Sequence, residues 1–385
     1  MPQRQRHSLF RSTAGALAAR TGDEMSGPAV LLLGAASTGS VATGAALLAG
    51  ITVTAALGGP LVGAALDRAS RPGRLLAAAL VGYAAGLAVV AAALGRLPLP
   101  LVVGAALATG LLGPALSGGW TAQLPRVVPA ERLARASALD AMTFGGASLL
   151  GPGAAGLAAA LLGAPAAVAG AVALIAVAVP VAWALPGRSA TAARAPLASD
   201  LRAGVRAVLG NAPLRRVTAA TVVSIAGSGM FVVCLPGLGD RFLGGQAHGA
   251  LLLSLMAVCS LAANLLLTRA APSPRPDTVV LVCLLVQAAG MGAAALAGSA
   301  LGLVAAATLV GAAEGPQLTA LFRVRHRESP AHLRAQVFTT GASLKISAFA
   351  LGAAAAGPLA EHAPVACLAV AAVLQVGAAT ALLRG

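Results

Sequence analysis

Across 385 residues only 10% are Asp, Glu, Lys or Arg, 58% are hydrophobic, and the formal net charge is +15. A mean hydropathy of +0.88 agrees with a membrane chain and excludes an ordinary soluble globular domain. Cys234, Cys259, Cys283 and Cys367 stand singly without CxxC or Cys/His spacing, so neither a disulfide framework nor a metal site is expected.

A helix needs about 20 mostly apolar residues to cross the hydrocarbon core, and only a fully hydrogen-bonded backbone can face lipid. On that basis the first half of the chain predicts helices over 13–35, 42–66, 75–95, 100–124, 137–162 and 165–186. The first is the least apolar, since it carries Arg20, Asp23 and Glu24. Their i,i+3 and i,i+4 spacing lets Arg20 pair with either carboxylate on one helix face. The second ends at Gly63 and Asp67-Arg68, followed by Arg71 and Arg74. The fourth ends beside Trp120, and the fifth opens with Asp140 and contains Gly151-Pro152 and Gly156. Gly163, Ala164 and Pro165 supply the turn into the sixth.

An Arg-rich segment over 187–215 separates these from helices predicted over 216–238, 247–269, 278–297, 299–322, 335–359 and 363–383. The total is twelve crossings, with a break around Gly298–Gly302 and with Glu314 and Lys345 inside apolar spans. The fold class is therefore an all-α polytopic membrane protein. Its expected divisions are 1–186, a linker over 187–215, and 216–385. Nearly every Arg falls in loops on the side of the N-terminus, which predicts both termini in the cytoplasm. Basic loops facing anionic lipid account for the positive charge without nucleic acid. No cleavable signal is expected, because no compact apolar core precedes a small-residue cleavage site.

The two halves repeat one another. Gly113-Pro114 and Trp120-Thr121-Ala122 in the fourth span match Gly315-Pro316 and Leu318-Thr319-Ala320 in the tenth. Pro129-Ala130 then answers Pro330-Ala331, and Gly151 to Gly156 answers Gly352 to Gly357. Transporters are commonly built from such repeats, with the substrate site near the midplane.

At this point the chain resembles the major facilitator superfamily over essentially its whole length. Gly63, Asp67, Arg68, Arg71 and Arg74 resemble the signature loop between its second and third helices, although Ser70 and Pro72 stand where Gly and a basic residue are usual. The resemblance implies that Asp67 docks against the eleventh helix near Arg334–Gln336 and gates the cytoplasmic side. Gly151, Pro152 and Gly156 resemble a degraded form of the Gly-Pro motif of exporter branches, where the pair forms a tight interface or a hinge. Unlike proton-coupled drug exporters, the fourth span over 100–124 has no Arg.

An ionisable side chain costs about 2.5–3.5 kcal/mol at mid-membrane on insertion scales, so these groups should face a wet cavity or one another. Arg20, Asp23, Glu24, Glu314 and Lys345 are accordingly the candidates for coupling or substrate binding, with internal ion pairing as their structural alternative. Trp120, Phe144, Gln287, Gln317 and Phe338 are candidates for lining a cavity, with helix packing as the alternative for each. The resulting expectation is a monomeric secondary transporter of the bacterial cytoplasmic membrane, exporting a small organic molecule, with protons as a candidate counter-ion. No cofactor and no metal are expected. A GxxxxGK[ST] loop is absent, which excludes direct use of ATP within this chain. A lipid-linked transferase and a transporter-fold solute sensor without turnover are the alternatives.

Overall fold

A computed structural model describes residues 3–129, 133–187, 205–269, 275–329 and 334–383. The described residues are helical with short connections, and they contain no strand. The first helices are α1 (Gln3–Thr38), α2 (Val41–Val53), α3 (Ala55–Arg68), α4 (Pro72–Ala93) and α5 (Leu99–Gly110). Three single turns follow, α6 (Gly113–Leu116), α7 (Gly118–Thr121) and α8 (Leu124–Val127), then α9 (Leu133–Leu162) and α10 (Ala164–Trp183). The later helices are α11 (Ala212–Leu243), α12 (Gln246–Arg269), α13 (Pro276–Ala295), α14 (Ala300–Glu328), α15 (Arg334–His362) and α16 (Pro364–Leu383).

Eleven segments among the described residues are long and apolar enough to span a bilayer. Two of them, Val41–Gly59 and Leu99–Thr121, run through small breaks in the helix. The α1 helix is not among the eleven, because Arg20, Asp23 and Glu24 lower its mean hydropathy. Its 36 residues nevertheless reach about 54 Å at 1.5 Å per residue, well beyond the hydrocarbon thickness. The expected break at 163–165 is found between α9 and α10, where Gly163 adopts φ 89°. The one near 298–302 lies between α13 and α14, where Ser299 accepts a capping hydrogen bond from Gly302 N at 3.2 Å.

The chain divides into two compact units, Met1–Gly39 with Gly50–Arg194, and Ser40–Ala49 with Ala195–Gly385. In the first, α1 packs against α9 and α10, α10 against α4, and α4 against α5. The buried stripe of α4 is Leu76, Leu80, Tyr83, Leu87 and Val90, spaced three or four apart as one helix face requires. Val81 and Val89 on its other side are 52% and 54% exposed, which is the arrangement a lipid-facing helix needs. The segment Ser40–Ala49 joins the second unit because Ser40 donates to Glu361 at 3.1 Å and the backbone at Ala42 meets Gly357.

In the second unit α11 packs against α12, α15 and α16, α14 against α12 and α13, and α13 against α16. The contact between α12 and α14 has a four-residue beat on both helices. Gly311 lies on the backbone of Met256, Gly315 on that of Ser260, and Thr319 Oγ1 donates to Asn264 Oδ1 at 2.8 Å. Small residues at this spacing let two helix backbones close up where lipid offers no hydrophobic drive to association. A Cβ at residue 315 would meet Ser260 Oγ at 2.7 Å and its carbonyl carbon at 3.0 Å, so Gly315→Val must push the helices apart. That substitution is expected to cost about 1–3 kcal/mol, the usual range for overpacking, read as a lower melting temperature in detergent.

Candidate functional site

Arg20 lies on the face of α1 that looks toward α9 and the α6–α7 turn, and it is 1% exposed. Its Nη1 donates to Asp140 Oδ1 at 2.8 Å, to the Asp140 carbonyl at 3.0 Å, and to Thr143 Oγ1. Its Nη2 donates to the Ser117 carbonyl at 3.0 Å, to Thr121 Oγ1 at 2.9 Å and to Asp140 Oδ2 at 3.3 Å. Thr121 Oγ1 completes the circuit by donating to Asp140 Oδ2 at 2.7 Å. The Phe144 ring covers the guanidinium with its centroid 3.7 Å away.

This corrects the expectation that Arg20 pairs along its own helix. Asp23 and Glu24 have the right spacing, but a salt bridge at i,i+3 or i,i+4 offers a guanidinium one acceptor on an outer helix face. Asp140 offers a buried, nearly bidentate carboxylate, with two hydroxyls and two carbonyls around it. The fourth span has no arginine, yet Arg20 brings a guanidinium to it at Ser117 and Thr121.

With Arg20 so engaged, Asp23 is held differently. Tyr83 Oη, from α4, donates to Asp23 Oδ1 at 3.2 Å and lies 2.9 Å from Ser26 Oγ. Ser26 Oγ donates to the Asp23 carbonyl at 2.6 Å. Asp23 is half-buried and Tyr83 is buried. Glu24, one residue on, is exposed and accepts from Ser148 Oγ at 3.1 Å. Gly151 packs directly beneath it. A Cβ at 151 would lie 2.6 Å from Glu24 Cβ and 2.9 Å from Met25 N. Gly151 of the Gly-Pro motif therefore makes a close contact between α9 and α1. Pro152 lies inside an unbroken α9, and Gly156 is buried with it.

In the second unit, a closed ring of three side chains occupies the core. Gln287 Nε2 donates to Gln317 Oε1 at 2.9 Å, Gln317 Nε2 to Ser224 Oγ at 3.3 Å, and Ser224 Oγ to Gln287 Oε1 at 3.4 Å. Gln375 Nε2 joins by donating to the Ser224 carbonyl at 3.0 Å. Glu314 is half-buried one turn before Gln317, and Lys345 of α15 is the cation whose field reaches it.

Two of the candidate cavity positions are packed in the interior. Trp120 and Gln287 are each 1% exposed. Trp120 is packed where a Cβ on Gly15 would meet its ring at 2.8 Å, and Gln287 is consumed by the ring just described. Gln317 keeps a partly open edge, and Phe144 is exposed beyond its contact with Arg20. Around the predicted gating motif, a Cβ at Gly63 would meet no described atom within 4 Å. Arg71 is exposed, and the Arg74 guanidinium stacks 5.0 Å from the Trp183 ring. The side chains of Asp67, Arg68, Arg334, Gln336 and Phe338 lie outside the described residues.

Tyr83, Ser26, Ser224 and Gln375 were not singled out from sequence. One signal was available for Tyr83: it is the chain's single tyrosine, and a buried phenol needs a hydrogen-bond partner.

The family model described as Major Facilitator Superfamily matches residues 13–357. No curated protein matches the sequence. Among solved structures, a mutant of the nucleoside transporter NupG superposes with a TM-score of 0.80 at 12% identity, covering 98% of this chain and 99% of that one. A peptide transporter POT in complex with sulfate gives 0.72 at 13% identity, with 98% and 93% covered. A D-xylose-proton symporter gives 0.66 at 15% identity, with 98% and 96% covered.

Proposed function

Because the chain belongs to the Major Facilitator Superfamily and is a multi-pass membrane protein, we propose that it is a secondary active transporter working by alternating access. It exports a small organic molecule in exchange for protons. The observation that carries this reading is the state of Asp23. A half-buried carboxyl group on α1 is held by a buried tyrosine hydroxyl, while the neighbouring arginine is bound up with Asp140. Such a group can hold or lose a proton without dismantling an ion pair. Arg20 and Asp140 then serve as the fixed frame, and Asp23, Glu24 and Glu314 are the groups that exchange protons and substrate.

Export rather than import is supported by the Gly151-Pro152 motif alone. The concentration of arginines in alternate loops supports a bacterial cytoplasmic membrane with both termini inside. A proton symporter among the structural neighbours is consistent with protons as the coupling ion.

Energised inside-out vesicles containing the protein, a pH-sensitive dye and a solute panel test the proposal. The expected result is proton release on addition of one solute, lost in Asp23→Asn and strongly reduced in Glu314→Gln. Solute accumulation with no proton movement, unchanged in both variants, would show that these carboxylates do not couple transport.

A further inference from the structure

Tyr83 is 2% exposed, and its hydroxyl is placed between two partners on α1. Asp23 Oδ1 lies 3.2 Å away and Ser26 Oγ 2.9 Å away, while Ser26 Oγ is also 2.6 Å from the Asp23 carbonyl. A phenol has one proton to donate and can accept as well. What it does here is decided by Asp23. An ionised carboxylate only accepts, so Tyr83 donates to it, and the Ser26 proton satisfies the Asp23 carbonyl. A protonated Asp23 carries an O–H that needs an acceptor, and the Tyr83 oxygen is in place. Tyr83 then turns its own proton to Ser26 Oγ, which still donates to the Asp23 carbonyl. In that state the hydrogen bonds run in one direction, from the acid through tyrosine and serine to the backbone of the same helical turn, an arrangement in which each bond strengthens the next.

The charged surroundings leave this choice to Asp23. On its own helix it has Arg20, committed to Asp140, and Glu24, beside Ser148. From α4 it faces Tyr83, with Arg74 far along that helix against Trp183. From α9 the nearest described ionisable group is Asp140, already paired. The α10 helix and the α6 turn contain no ionisable residue, and the side chain of Arg126 in α8 lies outside the described residues.

We propose that Tyr83 is a positioning residue that reads the protonation state of Asp23 and passes it to Ser26 by reversing the direction of its hydrogen bond. The inference rests on the reading that Asp23 exchanges protons. One proton enters, on Asp23, and the tyrosine O–H bond rotates without breaking. Both states keep α4 tied to α1, so the tyrosine holds the pair of helices together while their polarity inverts.

Infrared difference spectra of the full chain in lipid, recorded between high and low pH, test this directly. A protonated-carboxyl band that vanishes in Asp23→Asn belongs to Asp23. In Tyr83→Phe, which keeps the buried ring, that band should persist and move to higher frequency, because the acid has lost its acceptor. In Ser26→Ala it should move the same way by less, since tyrosine still accepts but the onward bond is gone. An Asp23 band at its original frequency in Tyr83→Phe would overturn the role of Tyr83 and leave proton exchange standing. The lack of any band sensitive to Asp23→Asn would overturn proton exchange at Asp23, and this inference with it.

Discussion

Asp140→Ala is expected to destabilise the protein by about 3–5 kcal/mol, the cost of leaving a buried partner charge uncompensated. Arg20 is 1% exposed and its guanidinium cannot turn to water, and Thr121, Thr143 and the Ser117 carbonyl supply dipoles but no charge. The loss should appear as a lower melting temperature in detergent, followed by the intrinsic fluorescence of Trp120, buried in the same unit. The pair Arg20→Met with Asp140→Leu should recover most of that stability, because replacing both ions with apolar side chains also removes their desolvation cost. A double variant as unstable as Asp140→Ala would show that the arginine is held by its hydroxyl and carbonyl contacts, and that the ion pair is secondary.

Gly151→Val carries the second large effect, and it acts on function as well as stability. The β-carbon meets Glu24 Cβ at 2.6 Å and the backbone carbon of Glu24 at 2.9 Å, so no side-chain rotation relieves it. Either α1 or α9 must move, at a cost of about 1–3 kcal/mol for overpacking. The displaced backbone carries Asp23 and Glu24 with it and parts Ser148 from Glu24, now 3.1 Å apart. Transport should fall by an order of magnitude or more, because a misplacement of about 1 Å is enough to spoil alignment at a working site. Gly151→Ala should lie between wild type and Gly151→Val in both melting temperature and transport rate. If Gly151→Val lowers the melting temperature yet transports at the wild-type rate, the interface is structural and Glu24 has no part in the site.

The spans were legible because apolar runs of bilayer length separated by arginine clusters leave little choice of fold. The helix breaks at 163–165 and near 299 were equally plain, since Gly, Pro and Ser mark them. The α1 helix was harder. Its ionisable residues depress hydropathy where it crosses, and only the alternation of charged loops called for a crossing there. Site partners were a different matter. Arg20 had two carboxylates within four residues and chose a third, 120 positions away, which local spacing cannot reveal. Tyr83 sits in an apolar run, where nothing in the local pattern names its partner on another helix. Gln287 was noticed for its polarity, but its ring with Gln317 and Ser224 depends on how three helices meet. Sequence exposes the cost of a buried polar group readily. Who offsets that cost is a tertiary fact.

The paired four-residue rhythm of α12 and α14 has a mechanical consequence. With Met256 and Ser260 seated against Gly311 and Gly315, a small slide would drive a side chain into backbone at both contacts and break the Thr319–Asn264 hydrogen bond. The stable displacements along that seam are whole helical turns of about 5.4 Å, as in a ratchet. Any smaller shift in a working cycle must therefore be taken up elsewhere, so α12 and α14 travel as a single stiff beam.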